Sequence, residues 1–478
     1  MKKYYFSIFL SFLISTACSQ EKKKDYTEAF KLVEVWLEAQ KDFDKLPGLT
    51  AIVIEEQKVL WSGATGMSNV EKNIKADAST LFSICSISKL FTSVAIMKLY
   101  DEGKLRLDDK VNDLLPAYKL EQKFPESGPV TIRSLLTHSS GLPRESAHPY
   151  WTGPDFPFPS KDQIDSKLSE QETLYPASTY FQYSNLGLTL LGEIVEAITG
   201  TSFDEYIQKN ILTPLRLSNT RTTMPEKLYG KELANGYSAV TRIGNREKVN
   251  FFTANGIAPA AGFTSNVFDL GSFASWQFRL RDSTITEILK PATLKYMQQV
   301  HFTDPDWKTT WGLGFVVYKG DNGNTWAGHG GSCPGYRTTL QLDLKNKRAY
   351  SVMINANGTD PDKYTDGISA ILNKVKAPEK ENPLVPKKDL NEYVGYYSWI
   401  PWSAEIYFST WGGNLVSLRL PSDNPGEAMT FYKHVAGDTF RRIRADDELG
   451  EALIFERDKN GNIIQYQSHG NYSKKIIR

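Results

Sequence analysis

The stretch FSICSISKLFTS at residues 82–93 constrains the fold of this chain more than any other, because it places a lysine inside an apolar, helix-like segment. Ser86 and Lys89 are three residues apart, so their side chains share one face of a helix. A charged ammonium among Phe, Ile, Leu and Cys side chains is costly unless another group compensates for it or uses it. A serine hydroxyl beside such a lysine indicates a nucleophile that is activated by a neighbouring base.

The Ser-x-x-Lys spacing is weak evidence by itself, since Ser19 and Lys22 repeat it in a polar stretch where catalysis is not expected. Two further motifs strengthen it. QYSNLGL places Tyr183 and Asn185 directly before a predicted helix that ends at Gly200. WAGHGGSCPGYRTTL, with a His-Gly-Gly sequence at residues 329–331, enters a predicted late strand.

The composition is that of an ordinary globular protein, with 40% hydrophobic and 23% charged residues in a chain of 478. This length suggests about two to three domains. The formal net charge of +1 gives no field that would attract nucleic acid, so no nucleic-acid partner is expected. No phosphate-binding G-x-x-x-x-G-K-[ST] motif or metal-ligand histidine spacing occurs in the sequence, so neither a cofactor nor a metal is expected.

Residues 1–18 are predicted to be a bacterial lipoprotein signal peptide. A basic pair at residues 2–3 precedes the apolar stretch 4–17, which is too short to span a bilayer, and Cys18 follows small residues. Cleavage before Cys18 would allow its acylation, with residues 19–26 as a polar tether. An ordinary signal peptide with a chance cysteine is the alternative. We therefore expect a bacterial cell-envelope protein, periplasmic or surface-exposed, with the membrane as a partner through its lipid anchor.

Two cysteines besides Cys18 occur in the sequence, Cys85 and Cys333. Such a pair does not make a disulfide framework. We expect each to be a small buried hydrophobic side chain. A bridge between them in an oxidising envelope is the less favoured alternative.

The chain divides into a long mixed region and a short C-terminal region. Residues 27–376 have strand-like runs near both ends and helix-like runs between them, which indicates an α/β domain with a helical insert. Residues 377–388, APEKENPLVPKK, are rich in Pro and Lys and are predicted to be a linker. Residues 389–478 contain β-like runs separated by Gly-Gly and Asn-Gly pairs, which predict a small antiparallel barrel or sandwich.

Several ordered motifs resemble the serine β-lactamase-related family, which includes class C β-lactamases, D,D-peptidases, D-aminopeptidases and related esterases. The resemblance covers residues of roughly 30–375. It implies a β-lactamase/penicillin-binding-protein-like fold, with an antiparallel sheet flanked by helices and a helical subdomain. LNEYVGYY resembles the start of a small β-domain often appended to such enzymes. The stretches that carry the resemblance are LFSICSISKLFTSVAIMKLYDEGKLRLDD, VTIRSLLTHSSGLP, FQYSNLGLTLLGEIVEAITG, ILTPLRLSNT, WGLGFVV and GHGGSCPGYRT.

The resemblance implies that Ser86 is the acylated nucleophile, that Lys89 is its partner and that Tyr183 is the general base. A tyrosine with a pKa near 10 is a poor base at neutral pH. An adjacent lysine cation would favour tyrosinate, so Tyr183 and Lys89 are interpretable only as a pair. The desolvated lysine could also take the proton itself.

The resemblance also assigns substrate-binding residues. Asn185 would position the pair or a substrate amide, and the backbone N–H groups of Ser86 and Ser332 would form the oxyanion hole. His329 and Gly331 would belong to the strand that lines the substrate. His329 stands where class C enzymes have a lysine, and a neutral histidine offers a weaker, directional donor than a fixed cation. Penicillin hydrolysis is therefore less expected than the chemistry of the aminopeptidase and esterase branches.

An α/β-hydrolase fold is not supported. HGGS at residues 329–332 also occurs in the oxyanion loops of α/β-hydrolase lipases, but the G-x-S-x-G elbow that such a fold needs does not occur in the sequence.

Two functional hypotheses follow. The first is an envelope serine hydrolase that forms an acyl-enzyme on Ser86 and acts on a small-molecule or peptide substrate: an ester, a D-amino-acid peptide or a peptidoglycan fragment, with weak β-lactam turnover. The alternative is a non-catalytic lipoprotein of the same fold that binds a cell-wall ligand. His329 and the extra β-domain motivate the alternative, whereas the intact Lys89 and Tyr183 argue against it. The oligomeric state stays open.

The C-terminal domain carries a group of aromatic residues that we expect to lie over the cleft and to limit substrate length. Removing the domain would then broaden the substrate range. The residues are Trp399, Trp402, Tyr407 and Trp411.

Overall fold

The computed structural model describes residues 24–320, 323–376 and 388–478. The predicted signal peptide with Cys18, most of the predicted tether and residues 377–387 of the predicted linker lie outside these residues. The lipid anchor is therefore a proposal and not a structural finding.

The first large unit of the described residues is an antiparallel sheet with helices on both faces. Its strands and two small strand pairs are β1 (Gly48–Glu55), β2 (Lys58–Asn69), β3 (Ile74–Lys75), β4 (Phe82–Ser83), β5 (Gly236–Tyr237), β6 (Lys248–Val249), β7 (Thr264–Ser265), β8 (Phe302–Thr303), β9 (Thr310–Trp311), β10 (Val316–Lys319), β11 (Thr325–Cys333), β12 (Tyr336–Asp343) and β13 (Arg348–Ile354). The sheet order among the described residues is β3-β2-β1-β13-β12-β11-β10-β9-β8, while β4 pairs with β7 and β5 with β6.

The helices of this unit follow the predicted pattern. The long apolar segments become α1, α2, α6 and α9, and α6 ends at Gly200 in the left-handed conformation (φ +68°). The helices are α1 (Thr27–Phe43), α2 (Ser88–Asp101), α3 (Val111–Leu114), α4 (Ile132–Leu136), α5 (Lys161–Lys167), α6 (Asn185–Thr199), α7 (Phe203–Ile207), α8 (Ala258–Ala261), α9 (Val267–Asp282), α10 (Pro291–Met297) and α11 (Asp362–Leu372).

Among residues 24–320, 323–376 and 388–478, no single helix is both long and apolar enough to cross a bilayer. One bent pair, Asn185–Thr199 with Phe203–Leu212, passes that test by length and composition when the two helices are taken together, with a bend of 81° between them.

The main sheet separates two hydrophobic cores, because alternate residues of a strand point to opposite faces. Ile52 and Ile54 of β1 pack in the core that contains α2, α6 and α9. Leu49, Ala51 and Val53 of the same strand pack in the core that contains α1 and α11. The Ser86–Lys89 segment therefore lies on the first face, and α1 and α11 cover the other.

The C-terminal domain is a closed antiparallel barrel with a packed interior. Its strands are β14 (Gly395–Ser398), β15 (Glu405–Trp411), β16 (Asn414–Leu420), β17 (Met429–Ala436), β18 (Thr439–Ile443), β19 (Leu449–Arg457), β20 (Ile463–Ser468) and β21 (Asn471–Ile476), with helix α12 (Pro425–Ala428) between β16 and β17. Gly412 and Gly413, both with positive φ, form the predicted hairpin turn between β15 and β16. Tyr397, Phe408 and Phe455 fill the interior together with other apolar side chains.

The barrel docks on α1 and α11, on the face of the sheet opposite α2. The Trp36 indole N–H donates to the Ser422 carbonyl (2.9 Å), and the Lys363 ammonium pairs with Asp423 (2.9 Å). Val416 and Leu418 of β16 share the hydrophobic core of α1. The barrel is therefore part of the support of the sheet and not a cover of the cleft.

The expectation that the barrel aromatics lie over the cleft is wrong. Tyr407 and Trp411 pack against the core of α1 and α11, on the other face of the sheet. Trp402 is 79% exposed. Its backbone N–H donates to the Trp399 carbonyl (2.9 Å) in the turn between β14 and β15. The sequence showed the aromatic residues but not the face on which the barrel docks, which is set by the apolar surfaces of α1 and α11.

Trp36 provides a test of this docking, because it is fully buried between α1, α11 and the barrel. We expect Trp36→Ala to lower the free energy of unfolding by about 3–5 kcal/mol, through the cavity that it leaves. Trp36→Phe keeps an aromatic ring and loses the bond to Ser422, which should cost about 1 kcal/mol from that bond. Urea denaturation followed by circular dichroism measures both, and equal losses in the two variants would contradict this account of the packing.

Candidate active site

Ser86 lies where the backbone enters α2. Residues Cys85–Ile87 form a short 3₁₀ turn that continues into α2 at Ser88, and the Ser86 side chain is half-buried and reachable. Because Ser86 precedes the first turn of α2, the positive end of the helix dipole favours negative charge at its position. The sequence predicted that Ser86 and Lys89 share a helix-like segment, and in the structure Lys89 lies in the first turn of α2 while Ser86 lies two residues before its start.

Lys89 is buried with 1% of its surface exposed, and oxygens of three different segments surround its amine. The Nζ atom lies 3.1 Å from Ser86 Oγ, 2.7 Å from Asn185 Oδ1 at the start of α6, and 2.8 Å from the carbonyl of Ala260 in α8. The structure thus brings Ser86, Lys89 and Asn185 into direct contact.

These three oxygens can accept from the three N–H groups of an ammonium, and they also suit the neutral amine that burial favours. Burial lowers the pKa of Lys89 well below its usual value, although the nearby Glu145 carboxylate acts in the opposite direction. A neutral amine has two N–H donors and one lone pair. Asn185 Oδ1 and the Ala260 carbonyl can only accept, so the lone pair is left for the Ser86 hydroxyl. This is the arrangement of a base poised to take the serine proton.

Glu145 fixes the orientation of Asn185 and was missed by the sequence analysis. The Asn185 amide donates from Nδ2 to Glu145 Oε1 (2.6 Å), so its oxygen must face Lys89. The Tyr150 hydroxyl donates to the other Glu145 oxygen. The only sequence signal was a charged residue in GLPRES after a family motif, and its distance of forty residues from Asn185 gave no indication of contact.

Tyr183 lies beside the Ser86–Lys89 pair. Lys89 Nζ is 4.9 Å from the centroid of its ring, and the His138 ring stacks on it at 4.2 Å. Burial raises the pKa of Tyr183, and a hydrogen bond with Ser86 offsets only part of that rise. The sequence analysis expected the lysine to favour tyrosinate. The pKa directions instead favour a protonated Tyr183 beside a neutral Lys89 in the free enzyme.

His138 holds Tyr183 in place through ring stacking and through a hydrogen bond with the next residue, Ser184. The Ser184 backbone N–H donates to His138 Nδ1 (3.1 Å), and Ser184 Oγ caps α6 by accepting the Gly187 N–H (2.9 Å). Burial lowers the pKa of His138 well below its usual value, so the ring is neutral. Tyr183 therefore precedes a fixed helix start and rests on an aromatic surface.

His329 lies in the same aromatic cluster, with its ring 6.2 Å from Tyr183 and 5.6 Å from Trp311. Burial lowers the pKa of His329 to about 3. Nδ1 must donate to the Gly330 carbonyl (2.5 Å), because that oxygen can only accept. Nε2 is therefore an acceptor, and it has no hydrogen-bond partner within the described residues. The predicted hydrogen-bond donor toward a substrate is therefore wrong for His329 Nε2, because the ring's one N–H is on Nδ1 and donates to Gly330.

Gly331 lets β11 approach the nucleophile segment. A Cβ atom at this position would lie 2.3 Å from the Ile84 carbonyl and 2.2 Å from Thr338 Oγ1, so only glycine fits. Thr338 Oγ1 itself donates to the Ile84 carbonyl (3.1 Å). Ser332, the next residue of β11, is thereby placed at the edge of the strand that runs beside Ser86. Its side chain is exposed.

A disulfide joins Cys85 to Cys333, with their Cα atoms 5.6 Å apart. This was the less favoured alternative in the sequence analysis. Both residues are buried, as expected for each separately, but the sequence could not show that residues 248 positions apart meet. The close approach of β11 to the nucleophile segment brings them together.

The predicted substrate-binding residues thus cluster around Ser86, while Cys18 lies outside the described residues. Within the described part of the chain, no group of three or more His, Cys, Asp or Glu side chains is arranged to hold a metal ion.

Comparison with known sequences confirms the resemblance. The family model described as Beta-lactamase matches residues 36–372. Protein flp of Staphylococcus aureus (strain NCTC 8325 / PS 47) is 30% identical over 185 residues, which are 37% of this chain and 34% of that protein. A putative D-alanyl-D-alanine carboxypeptidase of Escherichia coli (strain K12) is 25% identical over 339 residues, 65% of this chain and 76% of that protein. The match with protein flp thus spans about a third of the length of that relative.

Solved structures have the same fold. The octameric penicillin-binding protein homologue from Pyrococcus abyssi matches with a TM-score of 0.64 and 25% identity, over 93% of this chain and 99% of that one. A D-stereospecific amidohydrolase from Streptomyces sp. matches with a TM-score of 0.58 and 22% identity, over 73% of this chain and 99% of that one, which supports the fold alone. The predicted fold class is therefore confirmed, including the C-terminal all-β domain.

Gly330 and Gly331 of β11 offer a matched test of the close approach of β11 to the nucleophile segment. Gly331→Ala should lower the free energy of unfolding by about 1–3 kcal/mol, because the new methyl group overlaps the Ile84 carbonyl. Gly330→Ala is the control, since its Cβ would meet only the Thr338 carbonyl, at 3.8 Å. Thermal unfolding by calorimetry compares the two, and a stable Gly331→Ala protein would show that β11 does not approach Ser86 this closely.

Proposed function

This chain belongs to the beta-lactamase family, and from that premise we propose that it is a serine hydrolase that forms an acyl-enzyme on Ser86. The observation that carries the proposal is the contact between a buried Lys89 amine and Ser86 Oγ, at 3.1 Å. Asn185 and Ala260 would satisfy two N–H donors of this amine in a purely structural role, whereas the contact with Ser86 places a hydroxyl proton within its reach. A non-catalytic binding protein has no need of that contact.

Acylation uses groups that are already in place. The Ser86 proton passes to the lone pair of Lys89 while Oγ attacks the substrate carbonyl carbon. The backbone N–H groups of Ser86 and Ser332 stabilise the oxyanion. When the tetrahedral intermediate collapses, the bond to the leaving group breaks. The proton returns from Lys89 to the leaving group, and the Tyr183 hydroxyl, which is hydrogen-bonded with Ser86, lies beside this transfer.

Deacylation reverses these roles. A water molecule replaces the leaving group, and its proton passes to the neutral Lys89 as its oxygen attacks the acyl carbon. When this second tetrahedral intermediate collapses, the bond between Ser86 Oγ and the acyl carbon breaks, Lys89 returns the proton to Oγ, and the acid product leaves. The same pair therefore serves both half-reactions.

The substrate class follows from the electrostatics around His329. A lysine at this position would provide a fixed cation for a substrate carboxylate, whereas the neutral His329 offers an unpaired acceptor at Nε2. We therefore propose esters, D-amino-acid peptides or peptidoglycan fragments that present a hydrogen-bond donor here, with weak β-lactam turnover. The similarity to a putative D-alanyl-D-alanine carboxypeptidase supports this choice.

We also propose a bacterial cell-envelope location with a lipid anchor at Cys18, periplasmic or surface-exposed. The sequence of residues 1–18 supports it. The Cys85–Cys333 disulfide supports an oxidising compartment, because such bonds are rare where thiols are kept reduced.

Labelling tests the nucleophile. Ser86→Ala should abolish covalent labelling by a fluorophosphonate and reduce p-nitrophenyl ester hydrolysis by roughly 10³-fold or more. Tyr183→Phe should also reduce hydrolysis, while Tyr180→Phe, which changes a nearby tyrosine that is 48% exposed, should not. Labelling of the Ser86→Ala protein at the wild-type level would refute the proposal.

The pH profile tests the role of Lys89 as the base. Activity needs neutral Lys89, so kcat/KM falls as pH drops through the pKa of that amine. The Glu145 carboxylate raises that pKa, whereas Arg144 and burial lower it. Glu145→Gln should therefore move the acid limb to lower pH. Glu172→Gln, which removes an exposed carboxylate paired with Lys123, is the control and should leave the limb in place. A shift to higher pH in Glu145→Gln would contradict this assignment.

A further inference from the structure

The Cys85–Cys333 disulfide brackets the proposed oxyanion hole. Cys85 directly precedes Ser86, and Cys333 directly follows Ser332. The two backbone N–H groups that would hold the oxyanion therefore belong to residues adjacent to the two halves of one covalent bond. We infer that this disulfide is a positioning device that sets the spacing of the oxyanion hole, so that hydrolysis depends on its being intact. This inference rests on the proposed function.

Apart from the main chain, the disulfide is the covalent link between the nucleophile segment and β11. The Cα atoms of Cys85 and Cys333 are 5.6 Å apart, although 248 residues of chain separate them. The other links that the structure shows here are weaker: the Thr338 hydroxyl donates to the Ile84 carbonyl (3.1 Å), and Ser83 Oγ lies 3.4 Å from Cys333 Sγ. Without the disulfide, β11 and the nucleophile segment are held only by such contacts and by packing.

The orientation of the Ser86 N–H depends on the backbone conformation of Cys85. Cys85 has a φ of +50°, in the left-handed region that residues with a Cβ rarely adopt. The peptide plane between Cys85 and Ser86 carries the Ser86 N–H, so the conformation of Cys85 aims that donor. Strained conformations persist only where the surroundings determine them, and the disulfide is the covalent part of those surroundings.

Small displacements matter in an oxyanion hole more than elsewhere. Each donor must lie about 2.7–3.1 Å from the oxygen that becomes charged. A misplacement of roughly 1 Å can cost about 10²-fold in rate. Two of the proposed substrate-binding residues, Asn185 at the start of α6 and His329 in β11, do not adjoin the disulfide cysteines. Loss of the bond should therefore lower kcat far more than it changes KM.

Reduction of the bond has a defined balance. A dithiol such as dithiothreitol supplies two electrons and two protons, the S–S bond breaks, and two thiols form while the dithiol becomes a cyclic disulfide. The structure thus assigns a thiol-sensitive activity to this chain, with the disulfide form as the active one.

The test compares the full chain with its Cys85→Ala/Cys333→Ala variant. We expect kcat for a p-nitrophenyl ester to fall at least about tenfold, with KM changed less than about threefold. Affinity for phenylboronic acid, which forms a tetrahedral adduct with Ser86, should weaken in parallel. Ser83→Ala is the control: it removes the polar contact to Cys333 Sγ, keeps the disulfide and should retain full activity.

The outcomes are distinct. A folded double variant whose kcat and boronate affinity stay within twofold of wild type would overturn the inference and leave the proposed function intact. A wild-type chain that hydrolyses no ester and binds no fluorophosphonate would instead overturn the proposed function. Where the double variant does not fold, wild type is incubated with dithiothreitol until two new thiols per chain are titrated. Activity should then fall in step and return on reoxidation, and unchanged activity would count against the inference.

Discussion

Burial of the Lys89 amine is the constraint on which the rest of the site depends. An isolated ammonium is too costly inside a protein, so the fold must supply partners or remove the charge. Three helices converge to do both. The acceptors come from α6 through Asn185 and from α8 through Ala260, while α2 carries Lys89 and the 3₁₀ turn before it carries Ser86. Gly192 of α6 permits the convergence, because a Cβ there would lie 2.2 Å from the Pro259 ring. The packing of these helices thus makes the lysine a base.

How much of this could be predicted depended on whether the signal was local. The helix that carries Ser86 and Lys89, the helix start after Tyr183 and the strand entered by His329 were all visible as periodicity and motif. Contacts between distant segments were not. Glu145, the Ala260 carbonyl and the Cys85–Cys333 bond act through proximity that arises only when the sheet and helices pack, and no single-sequence pattern encodes such proximity.

The docking of the C-terminal barrel is a second contact between distant segments that the sequence did not show. Its strands and its Gly412-Gly413 turn followed from local signals, whereas its docking face did not. That face is decided by the apolar surfaces that α1 and α11 leave uncovered, and Trp36 occupies the centre of the contact. Because the sheet lies between this interface and Ser86, the barrel stabilises the sheet that carries β11 without entering the site. Its influence on chemistry is therefore through the rigidity of that sheet.

The side chains that react carry little charge in the free site, and this gives the backbone its importance. Burial lowers the pKa values of Lys89 and His329 and raises that of Tyr183, which favours the uncharged form of each. The charged neighbours are Arg144, whose guanidinium lies 5.0 Å from the centroid of the Tyr183 ring, and Glu145, which accepts from Asn185. On the reacting atoms, negative charge develops when Ser86 attacks, as Lys89 takes the proton. Stabilisation of the developing oxyanion must then come from oriented N–H dipoles, whose value depends on their being fixed beforehand. The uncharged reacting side chains and the firmly held strand edge therefore act together in stabilising the oxyanion.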